Sequence, residues 1–217
     1  MQPVLEMTPT EGFDLWPVAE TDRVGFLPLN GELPPAEIGT ALMRIAACND
    51  VDPDDFDLPP RPTEPIDGFL HGLLNFSAPY AAGGLRITDR STGIVFSPGC
   101  CDGLEDWPDW HQLVDGSGII GYGHDPQPSL AERLGDTVRL TVNTDLKDGP
   151  VIDVPVSELP RLLAGVERDL TGFLAAATGW IAEHLPDHSV SLAAALARVL
   201  ALPAPDAPPV LMGTERT

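Results

Sequence analysis

Basic residues are scarce in this sequence. Its 217 residues include 12 lysines and arginines against 33 aspartates and glutamates, which gives a formal net charge of −21, and Lys147 is the one lysine. A surface with this charge repels nucleic-acid phosphates and anionic lipids, so we expect no binding to nucleic acid or to membranes. The charge favours a basic protein, a cationic ligand or a divalent metal as partner, unless it serves solubility alone.

The sequence also lacks the segments that direct a chain into or across a membrane. It contains no run of about 18 apolar residues, so no membrane-spanning helix is expected. The first residues, MQPVLEMTPTEGFD, have no basic stretch followed by an apolar one, as a signal peptide requires. Three cysteines, an odd number, do not form a disulfide framework. We therefore expect a cytoplasmic protein.

Motifs that hold cofactors or catalytic nucleophiles are missing as well. The sequence has no phosphate-binding loop, dinucleotide-binding glycine pattern, G-x-S-x-G elbow or H-E-x-x-H helix. These absences exclude the enzyme classes that depend on such motifs. We expect no cofactor, and a non-enzymatic protein is favoured.

Residues 1–84 are predicted to form a proline-rich, acidic N-terminal region that is packed on or linked to the main domain. Apolar residues at helical spacing predict one helix over 36–48, and a short strand is expected at 24–29. Residues 49–67 contain seven acids and five prolines, which is typical of a solvated loop or linker. A calcium-binding loop is the alternative there, although the central glycine and terminal glutamate of an EF-hand are absent.

Residues 85–202 are predicted to form the main domain, and residues 203–217 a flexible tail. The first half of this domain alternates apolar and polar side chains, as strands with one buried face do. The predicted strands span residues 85–88, 94–97, 118–123, 137–143 and 150–156.

A long amphipathic helix follows the strands. From Leu159 to Ile181, apolar side chains recur every three or four residues, and Pro186 marks the end of the pattern. A second helix is expected at 189–202. Hairpins followed by long helices predict an α+β protein, in which an antiparallel sheet of four to six strands has one face covered by the long amphipathic helix and further helices.

The stretch SPGCCDGLEDWPDWH, residues 97–111, combines adjacent cysteines, two tryptophans and four carboxylates. Leu104, Trp107 and Trp110 lie three residues apart and share one face of a helical turn. Pro108 interrupts a regular helix, so one tryptophan is expected to be a buried anchor and the other to be partly exposed. The stretch is either a structural corner or an interaction face, because exposed aromatic residues dominate binding energy.

Candidate interaction residues follow from the second interpretation. They are Asp102, Glu105, Asp106, Trp107, Asp109, Trp110, His124 and Asp125. His124 and Asp125 lie in a turn, where the aspartate caps the local backbone or holds the imidazole. A catalytic pair would need a nucleophile and an oxyanion donor, which the sequence does not identify. If the 97–111 stretch is only structural, residues 50–67 offer a second acidic face.

A small enzyme or metal-binding protein is the alternative function. It would use Cys100, Cys101, His111 and His124. Adjacent cysteines do not readily both point at one tetrahedral ion, and no C-x-x-C is present. An acidic neighbourhood also disfavours the thiolate that a nucleophilic cysteine needs. We therefore expect no metal ligand and no catalytic residue in this stretch.

Four segments between residues 85 and 202 resemble a family of acidic actinobacterial proteins. The segments are FSPGCCDGLEDW, GHDPQPSLAERLGDTVRLTV, GPVIDVP and LLAGVERDLTGFL. The resemblance implies no catalytic residue, because that family has no assigned activity. Strands followed by a long amphipathic helix are also similar to bacterial immunity proteins, which are small, acidic and cytoplasmic and bind toxins. The expected function is therefore an acidic, immunity-like protein-interaction module.

Overall fold

A computed structural model describes residues 1–21, 24–99, 102–116, 118–123 and 128–204 of the chain. These residues include eight strands and five α-helices. The strands are β1 (Gln2–Met7), β2 (Gly25–Pro28), β3 (Gly83–Thr88), β4 (Val95–Phe96), β5 (Ile119–Tyr122), β6 (Ser129–Leu134), β7 (Thr137–Thr141) and β8 (Val151–Pro155). The helices are α1 (Pro35–Cys48), α2 (Pro65–Asn75), α3 (His111–Asp115), α4 (Leu159–His184) and α5 (Ser189–Val199). Within these ranges, none of the helices has the length and apolar character that crossing a bilayer requires.

The strands form two antiparallel sheets of four strands each. The first sheet has the order β2-β1-β3-β4 and the second the order β5-β6-β7-β8. In the second sheet, Val138 pairs with Val154 and Leu140 with Ile152, so the apolar positions of the predicted hairpin share the buried face. The α+β class predicted from the sequence is confirmed, with the strands divided between two sheets.

Helix α4 is the longest element, with 26 residues. Its buried positions include Leu163, Val166, Leu170 and Phe173, at the spacing of three and four that predicts an amphipathic helix. The helix packs on β1 and against α1, α3 and α5. Helix α4 therefore covers the first sheet, and one continuous cluster of buried apolar side chains includes residues from both sheets.

The N-terminal region is joined to the rest of the protein through β1. This strand pairs with β2 on one side and with β3 on the other. A Cβ on Gly83 would lie 2.1 Å from the carbonyl oxygen of Val4. The backbones of β3 and β1 are therefore closer together at this point than a residue with a side chain would allow. The boundary predicted between residues 84 and 85 falls inside β3, and the division into an N-terminal region and a main domain stays a prediction. Residues 205–217 of the predicted tail lie outside the described residues.

Candidate functional site

The 97–111 stretch contains a 3-10 helix, Leu104–Trp110, which leads directly into α3. Three residues per turn place the side chains at positions i and i+3 above one another. Leu104, Trp107 and Trp110 therefore share one face, and all three are buried. Pro108 lies inside the helix and removes a backbone donor that a regular α-helix would use.

Both tryptophans are buried anchors. Trp107 is 6% exposed and its indole N–H donates to the carbonyl oxygen of Leu200 over 2.9 Å. Trp110 is 1% exposed and donates to the hydroxyl of Tyr122 over 2.8 Å. The prediction that one tryptophan would be partly exposed is wrong, because the 3-10 spacing keeps both on the inner face on either side of Pro108.

Asp102 connects two loops on either side of the 3-10 helix. Its Oδ2 accepts a hydrogen bond from the N–H of Gly99 over 2.6 Å, and its Oδ1 accepts one from the N–H of Gly123 over 3.3 Å. Burial raises the pKa of Asp102, although both hydrogen bonds favour the ionised form. Asp102 is therefore a structural link that also carries a partly buried negative charge.

Glu105 is directed toward the start of β3. Its carboxylate accepts a hydrogen bond from the N–H of Ala81 over 3.1 Å. The same carboxylate lies over Gly103, where an added Cβ would come within 2.0 Å of Glu105 Oε1. Burial raises the pKa of Glu105. Glu105, predicted as an interaction residue, thus holds the backbone just before β3.

Asp106 and Asp109 lie on a different face of the 3-10 helix from the two tryptophans, and both are exposed. Within the described part of the chain, neither carboxylate makes an ion pair or a side-chain hydrogen bond. Partial burial, followed by the nearby charge of Asp109, raises the pKa of Asp106. These two acids therefore form a negative patch without a described counter-charge.

A cleft of about 290 Å³ lies where the 3-10 helix faces β3 and β5. Aspartates, aromatic residues and strand residues share its lining, which is formed by Gly84, Leu85, Asp102, Gly103, Asp106, Trp107, Asp109, Trp110, Gln112, Ile119, Ile120, Gly121 and Tyr122. Burial also raises the pKa of Tyr122, so its hydroxyl stays neutral. An acidic lining beside apolar surface is suited to a cation with an aliphatic stem. We call this site the acidic cleft.

No protein family, curated protein or solved structure matches this chain. The resemblance to acidic actinobacterial proteins and the likeness to immunity proteins therefore stay predictions. The function has to be argued from the acidic cleft and its surroundings.

Four of the predicted site residues, Cys100, Cys101, His124 and Asp125, lie outside the described residues. Their part in an interaction or metal site stays a prediction. Among the other predicted interaction residues, the structure brings the three aspartates and both tryptophans to the acidic cleft and turns Glu105 away toward β3.

His111 is the one candidate metal ligand within the described ranges. It is exposed, and its ring centroid lies 6.0 Å from that of Trp107. Across those ranges, no group of three or more His, Cys, Asp or Glu side chains is arranged to hold a metal ion. His111 therefore packs beside an anchor residue, and no set of described ligands surrounds it.

The second acidic region, residues 50–67, is partly neutralised within the chain. Arg61 forms an ion pair with Asp50 and donates a hydrogen bond to the carbonyl oxygen of Gly68 over 3.0 Å. Asp67 lies 3.0 Å from Nε2 of His188. Two of the seven acids in this region therefore have basic partners within the chain, whereas Asp106 and Asp109 in the acidic cleft have none among the described residues.

Strand β5 contributes residues that sequence reasoning did not assign to the site. All four of its residues, Ile119–Tyr122, line the acidic cleft. The pattern of the segment predicts a strand, but its position beside the 3-10 helix depends on contacts between the two sheets. The one local feature that could have pointed to this role is the composition of β5, a short apolar strand that contains glycine and no charged residue.

Proposed function

We propose that this protein is a non-enzymatic, immunity-like interaction module, whose acidic cleft receives a lysine or arginine side chain of a basic protein partner. One observation carries the proposal. Asp102, Asp106 and Asp109 line the same cleft, and among the described residues no cation pairs with any of their carboxylates.

Electrostatics supports a cation in this position. Partial burial raises the pKa of Asp102 and of Asp106, because the ionised carboxylates have lost part of their hydration. A cation in the cleft would form charge-assisted hydrogen bonds with carboxylates that are already partly desolvated. The net charge of −21 would also attract a basic partner over long range and speed association.

The size and lining of the cleft support a single side chain as the bound group. Its volume of about 290 Å³ is at the lower limit of the roughly 300–1,000 Å³ that small-molecule pockets occupy. Lysine and arginine carry a charged head on an apolar stem. Ile119 and Ile120 both line the cleft, and the exposed side chain of Ile119 offers apolar surface to the stem.

A pair of labelled peptides tests the proposal. The first is a fluorescein-labelled heptapeptide of alternating threonine and valine with a central arginine, here named the arginine heptapeptide. The second has citrulline, the neutral analogue, at that position. At about 50 mM salt, we expect the arginine heptapeptide to bind at least about tenfold more tightly, because hydrogen bonds to charged groups contribute about 1.5–3 kcal/mol.

Fluorescence anisotropy titrations measure both affinities. The difference should shrink at about 500 mM salt, where the Debye length is roughly threefold shorter. Equal affinities of the two peptides at low salt would refute the proposal.

A further inference from the structure

Four strands form the edges of the two sheets, namely β2, β4, β5 and β8. Unpaired N–H and C=O groups at an edge can pair with another chain, so proteins protect edges with charges, prolines or very short strands. In this protein β8 carries the exposed Asp153 and ends at Pro155, β2 ends at Pro28, and β4 has only two residues. These three edges are therefore protected.

Strand β5 has none of these protections. Its sequence, Ile-Ile-Gly-Tyr, contains no charge and no proline. Ile119 is 65% exposed, and a Cβ on Gly121 would meet no atom within 4 Å. Among the described residues, the backbone of β5 pairs with β6 alone. Within the described ranges, no other strand pairs with the outer edge of β5, which faces the 3-10 helix across the acidic cleft.

The acidic cleft lies beside this edge of β5. The four β5 residues line the cleft together with Asp102, Asp106 and Asp109. In an extended segment, successive side chains point to opposite faces. A segment paired with β5 could therefore direct one side chain toward the carboxylates, while its backbone forms hydrogen bonds with the strand.

The charge beside the edge decides which chain fits. A second copy of this protein would bring another net charge of −21 and a second set of cleft carboxylates, so repulsion disfavours that pairing. An extended basic segment has the complementary charge, and strand addition is an established mode of peptide recognition.

We infer that an extended basic segment of the partner adds to β5 as a fifth strand of the second sheet, with one basic side chain in the acidic cleft. This inference rests on the proposed function for the cation. It adds that backbone hydrogen bonds along Ile119–Tyr122 contribute to affinity.

Backbone methylation of the arginine heptapeptide tests this inference. One version carries N-methyl groups on alternate amides, and a second version carries them on the complementary set, so both keep the arginine and the net charge. In an added strand, one set of amides faces β5 and the other faces away. We expect one version to lose at least about tenfold in affinity and the other to lose less than about twofold.

Hydrogen exchange of the β5 amides, measured by NMR, provides the second readout. The unmodified arginine heptapeptide should slow exchange at the outward-facing amides of β5, which should exchange rapidly in the free protein. Equal losses from both methylated versions, equal retention by both, or slow exchange of these amides in the free protein would overturn strand addition. The preference for arginine over citrulline would survive each of those outcomes if the proposed function is right, and would vanish if it is wrong.

Discussion

Replacing Trp110 by alanine is expected to lower the free energy of unfolding by about 3–5 kcal/mol. Trp110 is the largest of the fully buried side chains in the described part of the chain. Its ring centroid lies 6.3 Å from that of Phe96, edge to face, and 6.1 Å from that of Tyr122. The substitution removes these contacts, leaves a cavity, and leaves the Tyr122 hydroxyl without its indole donor. Urea unfolding followed by circular dichroism measures the loss.

Two further variants identify the cause. Trp107→Ala should cost a similar amount, because that ring is also buried and its indole N–H is bonded to Leu200. Trp110→Phe keeps much of the apolar volume and should recover a large part of the stability. If either alanine variant lost less than about 1 kcal/mol, as is usual for a surface side chain, that tryptophan would not be a buried anchor.

Replacing Gly72 by alanine should also destabilise the protein strongly, although alanine is normally the better helix former. Gly72 lies within α2, and an added Cβ would come within 1.7 Å of the carbonyl oxygen of Asn49. The side-chain amide of Asn49 donates to the carbonyl oxygens of Ile45 and Tyr80, each over 2.8 Å, so this carbonyl is held in place. We expect a loss of about 3 kcal/mol, at the upper end of overpacking effects.

The matched control for this substitution is Gly179→Ala in α4. Gly179 is exposed, and an added Cβ would meet no atom within 4 Å. Here alanine should raise the free energy of unfolding by up to about 1 kcal/mol, the difference in helix propensity. Thermal unfolding of the two variants side by side measures both changes. A stabilised Gly72→Ala variant would show that α1 and α2 do not approach each other as closely as the structure has them.

Helix α4 and the β7–β8 hairpin could be predicted because each buries one regular stripe of side chains. In α4 the stripe repeats every three or four residues, and in the hairpin every second residue is buried. In such elements the residues that pack are also the residues that set the pattern. The predictions for them are confirmed for that reason.

Three elements escaped prediction because tertiary contacts changed their local patterns. Strand β1 contains Pro3, which has no backbone N–H to donate, and its carbonyl oxygen accepts a hydrogen bond from Leu29. Helix α2 contains two glycines that lower its intrinsic helix propensity. In β6, Arg133 interrupts the apolar alternation, since its guanidinium donates to the carbonyl oxygen of Val114 near the end of α3 over 2.6 Å.

The candidate site was predicted in part. The aspartates of the 3-10 helix were identified from their density in the sequence, and Asp106 and Asp109 are exposed as expected. The prediction that one tryptophan is partly exposed was wrong. The segment forms a 3-10 helix with three residues per turn instead of the 3.6 of an α-helix, and this spacing places both tryptophans on the buried face. The role of β5 could not be derived locally, since it follows from how the two sheets meet beside the cleft.

The most direct test of the acidic cleft compares two double variants that change the net charge equally. Asp106→Asn with Asp109→Asn neutralises two carboxylates of the cleft, whereas Asp54→Asn with Asp55→Asn neutralises two exposed carboxylates outside it. Thermal unfolding first establishes that both proteins are folded. The quantity measured is the affinity for the arginine heptapeptide at about 50 mM salt. We predict a loss of at least about tenfold for the cleft variant and less than about twofold for the other. Equal losses in both variants, or no loss in the cleft variant, would contradict a specific cation site.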